Sequence, residues 1–322
     1  MKLKGMKKLK AILLVIASIF VLQLCIPVSA SPVEEASEAD VLQASVKKGL
    51  KKENGKYYYY VNGKKVTNSW RKINKKQYYF TAKGYAATYS LKIDGKLYVF
   101  NTAGQLMQPA KSSIVQVGKY SYYVNKNGQA ATGWMVLSNK LYYADSKGRL
   151  YKNKAYKGIS FTASGAAKNN TASQLKIKSM RVVNSITNKS MTKAQKLSAC
   201  WNYMTSKSKF RYSNLYYPNL NKSGWQKETA LKILNEGRGN CYGFACGFAA
   251  LAYEVGYTPY VVCGRVSGSR DDAPDGLTRH CWVKISGKYY DPEAQFMGWM
   301  TGVYGDSYYN ITHTVQKTVK FA

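Results

Sequence analysis

Aromatic residues recur at a regular interval in the first half of the chain. Between residues 47 and 168 they return in pairs with a period of about 20 residues, and a glycine follows each pair within several positions. Each unit has the order aromatic strand, turn and second short strand, which predicts a β-hairpin. One hairpin cannot bury its aromatic face alone, so the repeats predict a solenoid-like array of stacked hairpins. The pairs are Tyr58-Tyr59, Tyr78-Tyr79, Tyr98 with Phe100, Tyr122-Tyr123 and Tyr142-Tyr143.

Helical spacing of apolar residues replaces this pattern in the second half. The polar stretch 169–191 predicts a linker or a leading helix, and the region 192–322 is long enough to bury a core of its own. The segment TKAQKLSACWNYM predicts a helix that begins after the cap residue Thr192. The segment ETALKILNEG predicts a second amphipathic helix, which ends at Gly237.

The stretch GRGNCYGFACGFAALAYEVG predicts the central helix of this region. Its first two glycines let the chain turn, and Asn240 is a favourable helix cap. Cys241 then falls at the first helical position, and Gly256 ends the helix. Small residues along the helix would let other elements approach closely; they are Gly243, Ala245, Gly247 and Ala249.

The segment RHCWVKISGKYYDPEAQ predicts two antiparallel strands joined by a two-residue turn of sequence SG. In that register, Trp282 pairs with Asp291 and His280 pairs with Glu293. Strand alternation then places His280 and Asp291 on one face as diagonal neighbours, close enough for a hydrogen bond between carboxylate and imidazole. Glu293 is the second candidate for this carboxylate.

These positions together predict a cysteine nucleophile. A thiol at a helix N-terminus beside an imidazolium is expected to have a lowered pKa, and the free amides of the same helix end would stabilise an oxyanion. We therefore predict Cys241 as nucleophile, His280 as general base and acid, and Asp291 as the orienting carboxylate. His313 is predicted to be an ordinary surface residue. The other cysteines of this region are predicted to be buried, with Cys200, Cys246 and Cys263 as small hydrophobic residues rather than disulfides and Cys281 turned away from the site.

The start of the chain and its charge indicate a compartment. A lysine-rich start, an apolar run and Val28-Ser29-Ala30 predict a secretory signal over residues 1–30. An acidic polar linker would follow over 31–46, with no stable membrane span after signal removal. The sequence has 49 Lys and Arg against 16 Asp and Glu, and residues 47–168 alone have 24 against 3. Such a secreted protein meets anionic wall polymers, so we predict the bacterial cell wall or cell surface as its location and no nucleic acid partner.

The repeats GKYSYYVNKNGQAATGWMVL and GKYYYYVNGKKVTNSW resemble the cell-wall-binding repeats of choline-binding and glucan-binding proteins. The resemblance covers roughly a third of the chain. It implies ligand pockets between neighbouring hairpins, walled by Trp and Tyr, which suit a quaternary ammonium or a sugar face. The strong basic charge favours anionic wall polymer, and choline, glucan and teichoic acid all remain open as ligands. Candidate ligand-binding residues are Trp70, Trp134, Tyr79, Tyr123 and Tyr143.

The segment GNCYGFACGFAALAYEVGYTPYVVCGRV, followed by HCWVKISGKYYDPEAQ, resembles the transglutaminase-like superfamily of papain-related enzymes. This resemblance implies an α+β domain over 192–322 with its central helix packed on an antiparallel sheet. It assigns the catalytic roles to Cys241, His280 and Asp291. An upstream aromatic residue often helps to stabilise the oxyanion in this family, and Tyr212 is the candidate here. No cofactor or metal site is predicted, because the sequence has no phosphate-binding loop or cluster of metal ligands.

These features predict a multidomain, wall-associated cysteine enzyme. It would act on amide bonds of a peptide or a glutamine side chain through an acyl-thioenzyme, with hydrolysis favoured over cross-linking. Its partners would be an anionic or glycan wall polymer and a peptide or protein substrate. The alternatives are a non-catalytic surface adhesin with a scaffold papain-like domain, and a wall-peptide amidopeptidase of a neighbouring papain-like family. The acidic loop from Arg270 to Gly276 could flank the cleft or be a solvated turn, and we predict the solvated turn.

Overall fold

The computed structural model describes residues 46–299, 303–309 and 312–322. The predicted secretory signal and all but the last residue of the predicted acidic linker lie outside the described residues. Within these residues, no helix is long and apolar enough to cross a membrane.

The first part of the described chain is a series of antiparallel β-hairpins, as predicted; we call residues 47–168 the hairpin array. Asn54 and Gly55 both have positive φ at the first turn, and Asp94 and Gly95 do at a later one, which is the geometry of tight two-residue hairpin turns. The strands are β1 Gly49–Glu53, β2 Lys56–Val61, β3 Lys64–Lys65, β4 Ser69–Ile73, β5 Lys76–Phe80, β6 Tyr89–Ile93, β7 Lys96–Phe100, β8 Ser113–Val117, β9 Tyr120–Val124, β10 Gly133–Leu137, β11 Lys140–Ala144, β12 Ala155–Tyr156 and β13 Ile159–Ser160.

Neighbouring hairpins are joined by backbone hydrogen bonds and by shared aromatic cores. The amide of Leu106 donates to the carbonyl of Gln77 at 2.8 Å, and the amide of Leu150 donates to the carbonyl of Ser121 at 2.8 Å. Phe100 is completely buried between units. Each hairpin therefore depends on its neighbours for burial of its apolar face, as expected of a stacked repeat.

The second part combines five helices with an antiparallel sheet. The strand order in the sheet is β19-β18-β17-β16-β20, and every neighbouring pair is antiparallel. The elements are α1 Thr171–Ile186, α2 Lys193–Met204, β14 Arg211–Tyr212, α3 Trp225–Glu236, β15 Arg238–Gly239, α4 Cys241–Glu254, β16 Pro259–Ser267, β17 Leu277–Ile285, β18 Lys288–Tyr290, α5 Pro292–Met297, β19 Tyr304–Asp306 and β20 His313–Lys320.

Helix α4 is the central helix of this part, as predicted. Its first twelve residues are all buried, between the sheet on one side and α1, α2 and α3 on the other. A Cβ on Gly243 would lie 3.1 Å from the Ile233 side chain, and one on Gly247 would lie 2.6 Å from the Met204 side chain. The small residues of α4 therefore let α2 and α3 approach closely.

The predicted caps are largely confirmed. The Thr192 hydroxyl accepts from the amide of Gln195 at the start of α2, and Gly237 ends α3 in a left-handed conformation. Asn240 is the N-cap residue of α4, but its side chain donates to the carbonyl of Tyr216 at 2.7 Å instead of capping the helix. The first amides of α4 are therefore not used by the side chain of their own cap residue.

The predicted hairpin after β17 is correct at its turn and wrong beyond it. Ile285 pairs with Lys288 as expected, but β18 ends at Tyr290, so the predicted pairs of Trp282 with Asp291 and of His280 with Glu293 do not form. Asp291 caps α5 instead, and Pro292 occupies the first helical position. Proline favours this position because its missing amide would have no partner there.

Candidate active site

Cys241 lies at the N-terminus of α4 and is 1% exposed. The short strand β15 pairs in parallel with β14, and the chain turns into α4 directly afterwards. The sulfur of Cys241, a ring nitrogen of His280 and a carboxylate oxygen of Glu293 all lie within 4.8 Å of one another. The thiol is therefore next to the predicted base, at the end of the helix where the first amides have no partner within the helix.

The contact between His280 and Asp291 forms although the predicted strand pairing does not. His280 lies near the middle of β17, opposite Gly264 of β16. Its Nε2 atom donates to Asp291 Oδ2 at 2.6 Å, and both side chains are almost completely buried. Nδ1 is thereby left on the other side of the ring from the Asp291 carboxylate.

The Asp291 carboxylate has three hydrogen-bond donors. Besides His280, it accepts from the Tyr309 hydroxyl at 2.7 Å on Oδ2 and from the Ala294 amide at 3.0 Å on Oδ1. Burial alone would raise the pKa of Asp291, but the charge and hydrogen bond of His280 and the other donors bring that pKa below its ordinary value. Asp291 is thus an ionised, fixed acceptor for the imidazole.

Glu293 is a second carboxylate beside the same imidazole. It lies on α5, is 0% exposed, and its Oε2 atom is 3.3 Å from His280 Nδ1. Its Oε1 atom is 3.7 Å from a guanidinium nitrogen of Arg270. The prediction that the loop from Arg270 to Gly276 is only a solvated turn is therefore wrong for Arg270, because that side chain reaches the buried Glu293.

Tyr212 and Trp299 flank this arginine. The Arg270 guanidinium lies 5.3 Å from the ring centre of Tyr212 and 5.1 Å from that of Trp299. Tyr212 pairs with Gly239 in the short parallel bridge, two residues before Cys241. Burial raises the pKa of Tyr212 to about 12, so its hydroxyl keeps its proton and can donate a hydrogen bond.

The thiol and the imidazole influence one another through burial and charge. Burial raises the pKa of the Cys241 thiol, and the hydrogen bond and charge of His280 oppose this rise without cancelling it. Burial lowers the pKa of His280, but the charge and hydrogen bond of Asp291 raise it well above its ordinary value. The expected lowering of the thiol pKa is wrong for this closed site, because that expectation left out complete burial.

The other cysteines and His313 lie apart from this cluster. Cys200, Cys246, Cys263 and Cys281 are all buried and unpaired, and Cys281 lies 3.6 Å from Cys263 in the core that covers α4. His313 is exposed on β20, and its ring meets those of Trp282 and Tyr309 edge-on.

Four of the five wall-ligand candidates in the hairpin array form two aromatic clusters. The ring centre of Trp70 lies 5.3 Å from that of Tyr79 and 5.0 Å from that of Tyr98, in the next hairpin. Trp134 lies 5.0 Å from Tyr143 in the same way.

The second cluster is larger, and Tyr123 belongs to neither. Tyr143 stacks on Tyr156 at 4.1 Å and meets Tyr151 edge-on. The ammonium of Lys176, from α1, lies 5.0 Å from the ring centre of Trp134, so a cation of the chain itself is already near this tryptophan. Tyr123 packs instead against an apolar core with Met135 and Tyr142.

Sequence reasoning missed Tyr309 and Trp299 and gave Arg270 no role. Tyr309 and Trp299 follow α5, where the apolar periodicity ends, so no local pattern marks them. The charge of Arg270 amid three aspartates was a signal, but local spacing does not show which carboxylate an arginine in a loop will meet.

Several solved structures are similar to the repeat region. Choline binding protein F from Streptococcus pneumoniae, in the presence of a peptidoglycan analogue, is 30% identical, covering 38% of this chain and 40% of that one, with a TM-score of 0.29. The Cpl-1 endolysin complexed with a peptidoglycan analogue is 29% identical, covering 38% and 37%, with a TM-score of 0.29. Truncated alternansucrase from Leuconostoc mesenteroides is 28% identical, covering 37% and 11%, with a TM-score of 0.26. The chain therefore spans two fifths or less of each of these proteins. No curated protein matches the chain.

A family comparison covers the second region. Residues 180–300 match the model of the Transglutaminase-like superfamily, and the match begins within α1. It includes Cys241, His280 and Asp291, whose arrangement is described above. This part of the chain is therefore a transglutaminase-like domain.

Proposed function

We propose that the protein is a wall-associated cysteine enzyme that acts on amide bonds of a peptide or a glutamine side chain. In this proposal Cys241 is the nucleophile, His280 is the general base and acid, and Asp291 positions the imidazole. The observation that carries the proposal is the buried imidazole of His280, oriented by Asp291 at 2.6 Å, beside a cysteine at the head of a helix. Nucleophile, base and orienting group are the three parts that acyl transfer by a cysteine requires.

The first half-reaction forms a thioester. Cys241 Sγ, having given its proton to His280 Nδ1, attacks the amide carbonyl carbon, and the carbonyl oxygen becomes an oxyanion. The first amides of α4 and the Tyr212 hydroxyl would donate hydrogen bonds to that oxygen. His280 then returns the proton to the leaving amine as the C–N bond breaks, which leaves an acyl group on the sulfur.

The second half-reaction resolves the thioester. His280 takes a proton from water, the resulting hydroxide attacks the acyl carbon, and the C–S bond breaks to release a carboxylic acid and the thiol. An amine in place of water would give an isopeptide or new amide product. We favour water, as expected from the sequence.

Opening of the site would precede reaction. Cys241 is 1% exposed, so a substrate has no direct path to the sulfur in this arrangement. Arg270 lies near the site between the rings of Tyr212 and Trp299, and Trp299 is 50% exposed. Displacement of these side chains by a substrate would open a path to the sulfur.

The hairpin array would keep this domain at the wall. It has 24 basic and 3 acidic residues, which suit an anionic polymer, and its aromatic clusters suit a glycan. Attachment raises the local concentration of wall peptides around the active site. We propose the bacterial wall or cell surface as the location on this basis.

The test combines a substrate assay with labelling of Cys241. Purified protein would be incubated with isolated wall peptides and a glutamine-containing protein, and released amine and isopeptide products would be measured by mass spectrometry. Separately, the rate of alkylation of Cys241 by iodoacetamide would be measured at one pH with a chelator present. The variants are Cys241→Ala, His280→Ala and, as a control that keeps the site intact, Cys281→Ala.

We expect released amine from wild type and Cys281→Ala but none from Cys241→Ala or His280→Ala. We also expect Cys241 to be alkylated at least about tenfold faster in wild type than in His280→Ala, because the imidazole assists thiolate formation. If wild type forms no product and its Cys241 reacts no faster than in His280→Ala, the enzyme proposal is wrong and the adhesin alternative replaces it.

A further inference from the structure

The active-site cluster has the composition of a metal site. Cys241, His280 and Glu293 each offer one ligand atom, these atoms lie within 4.8 Å of one another, and all three residues are at most 1% exposed. Thiolate, imidazole and carboxylate are the three ligand types that zinc takes in proteins. The acyl-transfer chemistry proposed above uses the first two and gives no role to Glu293.

The polar atoms that face one another here lack well-formed hydrogen bonds. His280 Nδ1 and both carboxylate oxygens of Glu293 are buried without a hydrogen bond of ordinary geometry within the described part of the chain, and their nearest charged neighbours are each other, at 3.3 Å, and Arg270, at 3.7 Å from Oε1. Buried polar groups without well-formed hydrogen bonds are costly, and more so when they are charged. A bound ion is one of the partners that can satisfy buried groups of this kind.

The distance between the nitrogen and oxygen ligands fits a tetrahedral ion. With bonds of about 2.3 Å to sulfur and about 2.0 Å to nitrogen and oxygen, ligand atoms around zinc lie about 3.3 to 3.6 Å apart. His280 Nδ1 and Glu293 Oε2 are 3.3 Å apart, which is the separation such an ion needs. The Cys241 sulfur lies within 4.8 Å of both atoms and would complete a three-ligand site.

The surroundings of His280 also match a metal ligand. Metal-binding histidines usually donate their second ring N–H to a carboxylate, which fixes the ring and its tautomer. Asp291 accepts from Nε2 at 2.6 Å and is itself oriented by Tyr309 and Ala294. Nδ1 is thereby the nitrogen that faces Cys241 and Glu293.

One nearby charge opposes a cation. The Arg270 guanidinium is 3.7 Å from Glu293 Oε1, and a dication would meet some repulsion from it. It approaches Oε1, whereas Oε2 is the oxygen near His280. The thiolate and the Glu293 carboxylate together supply two negative charges, which offset the repulsion between Arg270 and the zinc ion.

We propose that Cys241, His280 and Glu293 bind one zinc ion, which blocks the nucleophile reversibly. Binding replaces the thiol proton by a sulfur–zinc bond and the Nδ1 proton of His280 by a nitrogen–zinc bond, and it releases both protons with no change in oxidation state. Zinc would occupy the same sulfur that attacks the substrate, so the metal form is a resting state that a chelator reactivates. The inhibitory consequence rests on the proposed function, whereas the site itself does not.

The test is direct metal binding by the purified full-length protein, stripped with a chelator and kept reduced. Zn²⁺ would be titrated against a competing chromophoric chelator, and Co²⁺ would be added as a spectroscopic probe. A thiolate bound to Co²⁺ gives a charge-transfer absorption in the near ultraviolet, which reports sulfur ligation. The ligand variants are Cys241→Ser and Glu293→Gln, and the matched controls are Cys281→Ser and His313→Ala.

We expect wild type and both controls to bind one zinc ion tightly and to show the cobalt absorption. Cys241→Ser should lose the absorption. Glu293→Gln should bind zinc at least about 100-fold more weakly, which is a larger loss than removal of a residue that only hydrogen-bonds to a ligand causes. Zn²⁺ should also protect wild-type Cys241 from iodoacetamide, whereas Mg²⁺ should not. This protection needs no variant and remains decisive if a variant fails to fold.

The metal site is wrong if wild type shows neither sulfur ligation of Co²⁺ nor protection by Zn²⁺. It is also wrong if the absorption persists in Cys241→Ser or disappears in Cys281→Ser. Alkylation of Cys241 that depends on His280 with a chelator present, without metal binding, would leave the proposed enzyme intact and remove only this inference.

Discussion

The orientation of His280 depends on the hydrogen bonds that Asp291 accepts. Tyr309 donates one of them at 2.7 Å, and its ring stacks on Trp282 with centres 4.6 Å apart and planes 13° apart. Tyr309→Phe keeps this stacking and removes only the donor. A hydrogen bond to a charged group contributes about 1.5–3 kcal/mol, so we expect the free energy of unfolding to fall by about 2 kcal/mol, measured by urea denaturation.

The neighbouring Tyr308 provides a matched control, because it is 78% exposed. Tyr308→Phe should change the free energy of unfolding by less than about 0.5 kcal/mol. Equal effects of the two substitutions would contradict the view that Tyr309 stabilises the Asp291 carboxylate.

At the scale of residues, the sequence predicts the position of those site residues that a local pattern specifies. The position of Cys241 follows from a cap residue and a run of small residues, and the face of His280 follows from strand alternation. Strand alternation could not predict the position of Glu293, because the strand ends before Pro292 and Pro292 begins a helix. The role of Tyr309 could not be predicted either, because it depends on how the chain after α5 comes back to Asp291.

At the scale of elements, one lysine of α1 contacts both the hairpin array and α4. Lys176 of α1 makes an ion pair with Glu254 of α4 at 2.7 Å, and its ammonium also lies 5.0 Å from the ring centre of Trp134 in β10. The two charged side chains are only 16% and 13% exposed. Burial raises the pKa of Glu254, and the charge of Lys176 opposes that rise.

Removal of either partner should therefore leave a poorly solvated charge. We expect Lys176→Met and Glu254→Gln each to lower the free energy of unfolding by about 2–3 kcal/mol, somewhat less than for a fully buried pair. The double variant should lose less than the sum, with a coupling energy of about 1–2 kcal/mol in urea denaturation.

The pair Lys232 and Glu236 on α3 is the control cycle, since these side chains are 43% and 39% exposed. Their coupling should be about 0.3–0.5 kcal/mol. A coupling between Lys176 and Glu254 no larger than this would show that the contact between α1 and α4 gains nothing from the ion pair.

Element by element, the sequence predicts the helices and hairpins better than it predicts the contacts between distant segments. Helices α2, α3 and α4 and the hairpins lie where periodicity, caps and turns indicate. The position of β20 beside β16 could not be predicted, because it depends on pairing between segments that are distant in the chain. The contact of Lys176 with Trp134 is of the same kind, because helical spacing does not show which side chain of a neighbouring hairpin a lysine meets.

At the scale of the whole molecule, charge distinguishes the ligands that the array could bind. Several lysines already lie over tyrosine rings, with ammonium-to-centre distances of 3.8 Å for Lys65 and Tyr58 and 3.4 Å for Lys154 and Tyr151. A quaternary ammonium would have to compete with these internal cations for the same aromatic faces. We propose that the surplus of basic residues instead attracts an anionic polymer.

We therefore expect binding to isolated bacterial walls to weaken strongly with salt and to be unaffected by choline. The Debye length falls from about 14 Å at about 50 mM salt to about 4 Å at about 500 mM, so attraction between exposed charges is screened. The measurement is co-sedimentation with walls, and the control is the same walls after removal of their phosphate polymers, which should retain little protein even at low salt. Binding that persists at high salt and is abolished by choline would show quaternary-ammonium recognition. Binding that survives both salt and removal of the phosphate polymers would show recognition of the glycan. Either result would contradict an electrostatic attachment and would show that the aromatic clusters of the array bind the wall.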